Sequence, residues 1–349
     1  MDFSPTLQHW YARHGRTLPW RGIADPYRIW LSEVILQQTR VEQGRSYYER
    51  FTQLFPTVAH LAAATEQQVL AAWQGLGYYS RARNLHKAAK AIAAQGRFPD
   101  TYDALRALPG VGDYTASAIA SLAFGLPYAV VDGNVYRVLS RFFAIATPID
   151  TPAGKREFKA LADELLDPRH SAAHNQALMD FGATLCNPRS PHCADCPLQD
   201  ACAARAEGQP EAYPVKSRRQ QVTTRRFTYL YIRHAHSLLL HRRAAGDIWQ
   251  GLYEPWLIER EQGVSADEIV RSVSDALGIS ADQIVLRHVA NGIRHQLTHR
   301  LLIADAYIVT LSAPPVCLPT GYEWADLDSI VRYPLPRLVE RLWQEANRI

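Results

Sequence analysis

The stretch that decides the fold is Leu108-Pro109-Gly110-Val111-Gly112. A short helical stretch precedes it and a second one, Tyr114–Phe124, follows it, so the pattern predicts two helices joined by a tight hairpin. The two glycines let the backbone turn sharply and approach a ligand. The second helix would then present unpaired N–H groups and its positive dipole end to a phosphate. Taken alone, the motif favours an ordinary helical corner with a Pro-Gly turn.

The segment Val130-Val131-Asp132-Gly133-Asn134-Val135 follows the hairpin and an apolar run. Asp132 stands just before a helical run that we predict over Val135–Phe143, where an aspartate commonly caps the helix. Capping is therefore the first interpretation of Asp132. It does not prevent the same carboxylate from stabilising a positive charge in a reaction.

Glu33 lies in an apolar stretch that is predicted to be helical. Its neighbours at i−4, i−3 and i+3 are Ile29, Trp30 and Leu36, so the carboxyl group emerges from an apolar face. Burial disfavours the charged form and raises the pKa, as a general acid that works near neutral pH requires. A structural ion pair is the alternative.

Four cysteines are packed into a short segment with the pattern C-x6-C-x2-C-x5-C, namely Cys186, Cys193, Cys196 and Cys202. Cys317 stands apart. The N-terminus, Met1 to Trp10, lacks the features of a secretory signal, so we expect a cytosolic protein without a disulfide framework. Four thiolates can hold structural zinc or a cubane iron-sulfur cluster, and ligand chemistry alone does not separate the two.

Length and texture predict two domains. The chain has 349 residues, and no run of about 18 apolar residues indicates a membrane span. A formal net charge of +4 suits phosphate binding but is equally normal for a cytosolic enzyme.

The first predicted domain, residues 1–206, has helical periodicity throughout and is expected to be all-α. Residues 207–226 are rich in basic residues and predict a linker, with Lys216, Arg218, Arg219, Arg225 and Arg226. Residues 227–349 predict an α+β domain with strands at 227–232, 237–240 and 301–311 and a helix at 266–277.

The cysteine spacing, the hairpin, Glu33 and Asp132 together resemble the MutY family of the helix-hairpin-helix, or endonuclease III, superfamily, and the resemblance covers nearly the whole chain. It implies an all-α glycosylase fold whose cysteine loop holds a [4Fe-4S] cluster, because the spacing departs from the paired C-x2-C pattern usual for zinc. The implied activity is hydrolytic removal of adenine mispaired with 8-oxoguanine or guanine in double-stranded DNA, during base excision repair. A cytoplasmic, nucleoid-associated monomer without membrane contact is expected.

The resemblance assigns roles to individual residues. Glu33 would protonate adenine N7, and Asp132 would stabilise an oxocarbenium-like transition state at C1′. Asn134 would help Tyr114 hold the aspartate and the attacking water. The implied adenine contacts are Arg16, Leu18, Trp20, Arg21 and Gln176. The implied DNA contacts are Gln38 and Tyr78, inserted into the duplex, and the hairpin residues Gly110, Val111 and Gly112.

Tyr114 separates this chain from the bifunctional relatives that resemble it through the hairpin, aspartate and cluster. Endonuclease III-like enzymes place a nucleophilic lysine at that position, whereas this chain has no lysine between Lys90 and Lys155. The resemblance therefore implies a monofunctional glycosylase. A noncatalytic DNA-binding protein remains the alternative if both carboxylates are structural.

The C-terminal domain resembles the Nudix, or MutT-like, fold through residues 238–243 and 249–254. A Nudix pyrophosphohydrolase needs the glutamate-rich box R-E-x-x-E-E for magnesium, and the corresponding residues 267–275 lack it. The domain is therefore expected to recognise 8-oxoguanine rather than to hydrolyse a nucleotide. The implied recognition loop is Leu297-Thr298-His299, which departs from the family's frequent Phe-Ser-His but keeps a hydroxyl group at Thr298.

Overall fold

The chain folds into two compact units, described here for residues 3–217 and 222–348 of a computed structural model. The first, the helical unit, comprises Met1–Ala63 and Asn84–Arg219. The second, the sheet unit, comprises Ala64–Arg83 and Gln220–Ile349. The chain therefore enters the sheet unit twice. No helix in the described part of the chain is long and apolar enough to span a bilayer.

Twelve helices precede the first strand in the described residues. They are α1 (Phe3–His14), α2 (Pro26–Leu36), α3 (Val41–Leu54), α4 (Val58–Ala63), α5 (Glu66–Trp73), α6 (Ser80–Gln95), α7 (Tyr102–Arg106), α8 (Asp113–Phe124), α9 (Gly133–Phe142), α10 (Pro152–Leu165), α11 (Ser171–Thr184) and α12 (Ala203–Ala206). Short 3-10 helices occur at Cys193–Asp195, Gln199–Ala201 and Pro210–Ala212. The all-α prediction for the helical unit is thus confirmed.

Local signals set the ends of the helices that carry the predicted site. Asp25 caps α2 by accepting from the Tyr27 N–H at 2.9 Å, and Pro26 occupies the first helical position. Helix α8 begins after Gly112 and ends at Gly125, which has a left-handed φ of 66°. Helix α9 starts two residues earlier than predicted because Asp132 caps it directly.

The core of the helical unit forms where α1, α9, α10 and α11 meet. It is built on side chains such as Leu7, Leu139, Phe158 and Phe181, all of which are nearly or fully buried. Burying each side chain of this size contributes about 1.5–3 kcal/mol. This packing fixes α9 and α11 against each other.

The sheet unit contains a seven-stranded mixed sheet. Its strands are β1 (Thr223–His234), β2 (Ser237–Arg242), β3 (Tyr253–Glu254), β4 (Trp256–Glu259), β5 (Ile284–Gln296), β6 (Arg300–Leu311) and β7 (Tyr322–Asp326), and its helices are α13 (Ala266–Leu277) and α14 (Arg337–Arg348), with 3-10 helices at Ala281–Gln283 and Leu327–Arg332. The order is β3-β2-β1-β6-β5, with β4 on β1 and β7 on β2. The β1–β6 pair is parallel and the other pairs are antiparallel.

A helix covers each face of this sheet. Alternate residues of β1 point to opposite faces, so Leu230 packs in the core that contains α13 while Tyr231 packs in the core that contains α14. The predicted strands and the helix at 266–277 are all present. Strands β3, β4, β5 and β7 and helix α14 were not predicted.

The structure corrects the predicted boundaries in two places. Residues 223–226 belong to β1, where Thr223 pairs with Arg300 of β6, so the predicted linker 207–226 is too long at its C-terminal end. Residues 64–83 lie in the sheet unit rather than in the helical unit. Their contacts explain this, since Gln67 donates to the Arg332 carbonyl and Arg83 to the Gln250 carbonyl. Arg218 and Arg219 of the predicted linker lie outside the described residues.

Candidate active site

One pocket in the helical unit gathers the residues predicted for catalysis and for adenine binding. They come from the segment after α1 and from α2, α8, α9 and α11, which are far apart in sequence. The pocket is lined by Arg16, Leu18, Trp20, Arg21, Glu33, Tyr114, Asp132, Asn134 and Gln176, together with apolar neighbours that include Met179.

Glu33 lies on α2 with only 8% of its surface exposed. The Tyr114 hydroxyl donates to Glu33 Oε2 at 2.7 Å. Burial raises the pKa of Glu33 to about 7; the Tyr114 hydrogen bond opposes the rise, nearby Asp132 adds to it and Arg21 opposes it. The raised pKa predicted from the apolar helix face is confirmed, and this carboxyl group can hold a proton near neutral pH.

Asp132 caps α9 and lines the pocket at the same time. Its Oδ1 accepts from the backbone N–H groups of Asn134 at 2.9 Å and Val135 at 2.8 Å. Burial raises the pKa of Asp132, although these hydrogen bonds and Arg137 oppose the rise. The predicted capping role is therefore confirmed, and it coexists with a position in the pocket.

Asn134 contacts Asp132 as expected, whereas Tyr114, which was expected to hold the same aspartate, contacts Glu33 instead. Asn134 Nδ2 donates to Asp132 Oδ2 at 2.7 Å, whereas the Tyr114 hydroxyl is hydrogen-bonded to Glu33. Arg137 in turn donates to Asn134 Oδ1 at 2.8 Å, which fixes the orientation of the amide. Each carboxylate thus has its own orienting side chain.

Asp180 and Tyr11 do not line the pocket but contact side chains that do, and neither was predicted. Asp180 is fully buried and accepts hydrogen bonds from Arg16 and Arg21, with shortest distances of 2.6 Å to each. Although its burial favours the neutral form, these guanidinium groups lower the pKa of Asp180. An available signal was its position four residues after Gln176, on the same face of α11.

A groove continues from the pocket along the hairpin. Glu33 and Asp132 line it together with Gln38, Gly110 and Gly112. Gly110 has a φ of 77°, and a Cβ there would lie 2.6 Å from the Asn84 Cβ, so the turn requires glycine. The basic residues Lys155, Arg156 and Lys159 of α10 line the same groove.

The hairpin presents the first turn of α8 without a side-chain cap at Gly112. Val111 differs from the prediction because its side chain is buried and its N–H donates to the Leu108 carbonyl at 3.1 Å. Its side chain therefore belongs to the core. A contact with a phosphate would fall to the N–H groups at the start of α8.

The four cysteines of the loop surround a second cavity in the helical unit. Arg141 donates to Cys186 Sγ at 3.3 Å and to the Asn187 carbonyl at 2.7 Å, which holds the start of the loop. Burial raises the pKa of Cys196 to about 11, and the other three thiols add to the rise. The donor set is therefore four thiols around one cavity.

The spacing of these sulfurs is wide. Among the described residues, no three of the four sulfurs lie within 4.8 Å of one another. A tetrahedral zinc ion with bonds of about 2.3 Å would need sulfurs about 3.8 Å apart. Four thiols around one cavity are the donor type that both structural zinc and iron-sulfur clusters take.

In the sheet unit, Leu297, Thr298 and His299 form the loop between β5 and β6. The Thr298 and Tyr78 hydroxyl groups are hydrogen-bonded at 2.8 Å. Tyr78 is 48% exposed and has a left-handed φ of 47°, and the Arg81 guanidinium lies 5.4 Å from its ring centroid. The structure thus joins two residues predicted to serve DNA insertion and lesion recognition.

Both units of this chain are similar to known proteins. Residues 31–165 match the family model of the HhH-GPD superfamily of base excision DNA repair proteins, and residues 228–345 match that of the NUDIX domain. A solved thermostable thymine-DNA glycosylase is 29% identical with a TM-score of 0.55, covering 59% of this chain and 95% of its own. An endonuclease III–DNA complex shares the fold at 22% identity and a TM-score of 0.51, covering 58% of this chain and 94% of its own.

The first of two curated relatives shows the family, because the match covers more than two thirds of both chains. The adenine DNA glycosylase of Buchnera aphidicola subsp. Acyrthosiphon pisum is 34% identical over 254 residues, which cover 72% of this chain and 73% of that protein. The human adenine DNA glycosylase is 43% identical over 214 residues, which cover 58% of this chain and 39% of that protein. By its similarity to the Buchnera protein, and with an HhH-GPD match over residues 31–165 and a NUDIX match over residues 228–345, this chain belongs to the adenine DNA glycosylase family of base excision repair enzymes.

Proposed function

We propose that this enzyme removes adenine mispaired with 8-oxoguanine or guanine in duplex DNA by hydrolysing the N-glycosidic bond. The observation that carries the proposal is a pocket in which Glu33, with a pKa of about 7, lies beside Asp132. To enter such a pocket, the adenine has to leave the base stack.

In the proposed reaction, Glu33 gives its proton to N7 of the flipped adenine. The C1′–N9 bond then breaks with its electron pair going to the base, and the ionised Asp132 stabilises the positive charge at C1′. Water adds to C1′ and returns a proton to Glu33. Tyr114 and Asn134 position the two carboxylates, and the pocket residues Arg16, Leu18, Trp20, Arg21 and Gln176 contact the base.

Tyr114 lines the pocket, and among the described residues no lysine does. A pocket without a lysine supports a monofunctional reaction, because it holds no amine that could attack C1′. The test is single-turnover release from a duplex with adenine opposite 8-oxoguanine, compared with adenine opposite thymine. We expect release from the first duplex and an abasic strand that breaks only after hot alkali. Breakage without alkali, or adduct trapping by borohydride, would show that a protein amine attacks C1′.

For DNA contact, we propose that Gln38 and Tyr78 enter the space left by the unstacked bases. The hairpin from Gly110 to Gly112 would bind a phosphate through the start of α8. We propose that the enzyme makes these contacts as a monomer acting on chromosomal DNA in the cytoplasm.

We further propose that the sheet unit recognises 8-oxoguanine through Leu297, Thr298 and His299. The Thr298–Tyr78 hydrogen bond supports this role because it fixes the loop hydroxyl beside a residue proposed to enter the duplex. Helix α13 would not hold magnesium, since its Glu268 is used in the Ser265 capping box and in a pair with Arg260.

Replacing Thr298 tests this assignment. We expect Thr298→Val to lower the preference for 8-oxoguanine over guanine about 2- to 10-fold, because one hydrogen bond is lost. Thr298→Ser keeps the hydroxyl and should keep the preference. The measurement is the ratio of adenine release rates from the two duplexes, and an unchanged ratio in Thr298→Val would place lesion recognition elsewhere.

We propose that Cys186, Cys193, Cys196 and Cys202 hold a [4Fe-4S] cluster, as is typical of this class of glycosylase. The four thiols around one cavity and their wide spacing support this choice over zinc. When bound, the cluster would tie the C-terminal loop of the helical unit together. Arg141 would offset part of the negative charge of the thiolates.

The cluster proposal predicts a brown protein that contains iron and sulfide. Cys193→Ser and Cys196→Ser should lose the charge-transfer absorption, because each removes a thiolate ligand. Cys317→Ser is the matched control, since Cys317 is exposed and lies in the sheet unit. Stoichiometric zinc with negligible iron and sulfide in an anaerobic preparation would contradict the proposal.

A further inference from the structure

We propose that Tyr11 is a positioning residue that fixes the Gln176 amide with its NH2 group toward the base, and that this orientation selects adenine over hypoxanthine. The inference rests on the proposed function. It specifies which end of the Gln176 side-chain amide faces the base.

The observation is a chain of side-chain hydrogen bonds behind the pocket. Asp180 accepts from Arg21 through both oxygens, at 2.7 Å and 2.6 Å. Arg21 Nη1 also donates to the Tyr11 hydroxyl oxygen at 2.9 Å. The Tyr11 hydroxyl in turn donates to Gln176 Oε1 at 2.9 Å. This series of hydrogen bonds begins at the buried carboxylate of Asp180 and ends at Gln176, which lines the pocket.

The donors and acceptors in this series of hydrogen bonds are fixed, because an arginine side chain only donates. Arg21 therefore makes the Tyr11 oxygen an acceptor, which leaves the single hydroxyl proton for Gln176. That proton requires a carbonyl acceptor, so Gln176 Oε1 faces Tyr11 and Nε2 faces away from it. A flipped amide would leave the Tyr11 proton without an acceptor on Gln176 and is disfavoured.

The orientation matters because an NH2 group distinguishes two purines that are otherwise similar. Adenine N1 accepts a hydrogen bond, whereas hypoxanthine carries a proton on N1 and donates. Both bases keep N7, so Glu33 can protonate either. In this proposal Gln176 Nε2 meets the N1 edge of the flipped base. A donor there pairs with adenine and opposes the N–H of hypoxanthine, which is the kind of contact that gives strong selection.

The test uses Tyr11→Phe, which removes the hydroxyl and keeps the ring beside Arg21. Single-turnover rates are measured on duplexes with adenine or hypoxanthine opposite 8-oxoguanine. We expect the adenine rate to fall about 3- to 10-fold and the adenine-to-hypoxanthine ratio to fall by at least as much, because the freed amide can turn. Tyr213→Phe is the matched control; its hydroxyl bonds the exposed Glu207, and neither rate should change.

A double-mutant cycle with Gln176→Leu separates positioning from a general structural effect. Gln176→Leu alone should also lower the ratio, and Tyr11→Phe should add less than about 2-fold to it. An unchanged ratio in either single variant, or equal losses for both bases that multiply in the double variant, would overturn the inference. A wild-type enzyme that releases no adenine would instead overturn the proposed function.

Discussion

Glu33→Gln is expected to lower the single-turnover rate of adenine release about 100- to 10,000-fold, the range that a positioned general acid contributes. The amide keeps the size of the side chain but has no proton to give to N7. Duplex binding should persist, because the substitution removes no positive charge and leaves Lys155, Arg156 and Lys159 of the groove unchanged. A wild-type rate in this variant would remove Glu33 from the acid role.

The pH dependence carries the same assignment. A general acid acts in its protonated form, so the wild-type rate should fall as pH rises through about 7, the pKa of Glu33. The hydrogen bond from Tyr114 lowers that pKa, so Tyr114→Phe should move the fall to higher pH. A fall that does not move in Tyr114→Phe would indicate that another group titrates.

The free energy of unfolding provides a control for Glu33→Gln. The folded-state pKa of Glu33 lies above its unfolded value, so its protonation favours the folded state at low pH and this contribution is lost as pH rises through about 7. Glutamine does not ionise. The free energy of unfolding of Glu33→Gln at pH 8 should therefore equal or exceed that of the wild type.

Asp132→Asn is expected to lower adenine release about 100- to 1,000-fold, because the variant loses the charge that faces C1′ in the proposed transition state. Asparagine is as good a helix cap as aspartate, so α9 should stay folded. Single-turnover rates and circular dichroism measure the two effects separately.

Asp25→Asn is the matched control, because Asp25 caps α2 in the same manner without lining the pocket. It should keep the wild-type rate. If Asp132→Asn releases adenine at the wild-type rate, the carboxylate is a cap alone. If the variant unfolds, the charge of Asp132 is needed for the fold and its role is structural.

Motifs that depend on adjacent residues were predictable from sequence. The hairpin, the cap at Asp132 and the cysteine spacing are encoded within a few positions, and their structures follow from local backbone and ligand chemistry. Asp180 was not predictable in this way. Its partner Arg16 lies 164 residues away in sequence, and only the packing of the segment after α1 against α11 brings them together.

Strand β5 was not predicted for a different physical reason. Its register with β6 is interrupted twice between His288 and Ile293, so the alternation that indicates a strand is broken. The assignment of residues 64–83 to the sheet unit was equally hidden. Its contacts with residues such as Gln250 and Arg332 are made by polar groups and backbone carbonyls, which leave no periodic pattern.

Because the chain enters the sheet unit twice, this unit cannot be replaced by exchanging the C-terminal segment alone. A foreign C-terminal module appended after residue 217 would lack the native partners of Gln67 in α5, Tyr78, and Arg83 in the first turn of α6. In the native chain these residues are hydrogen-bonded to Arg332, Thr298 and Gln250, respectively. A functional chimera would have to carry residues 64–83 along with the module. The two segments would have to be exchanged together, although they are separate in sequence.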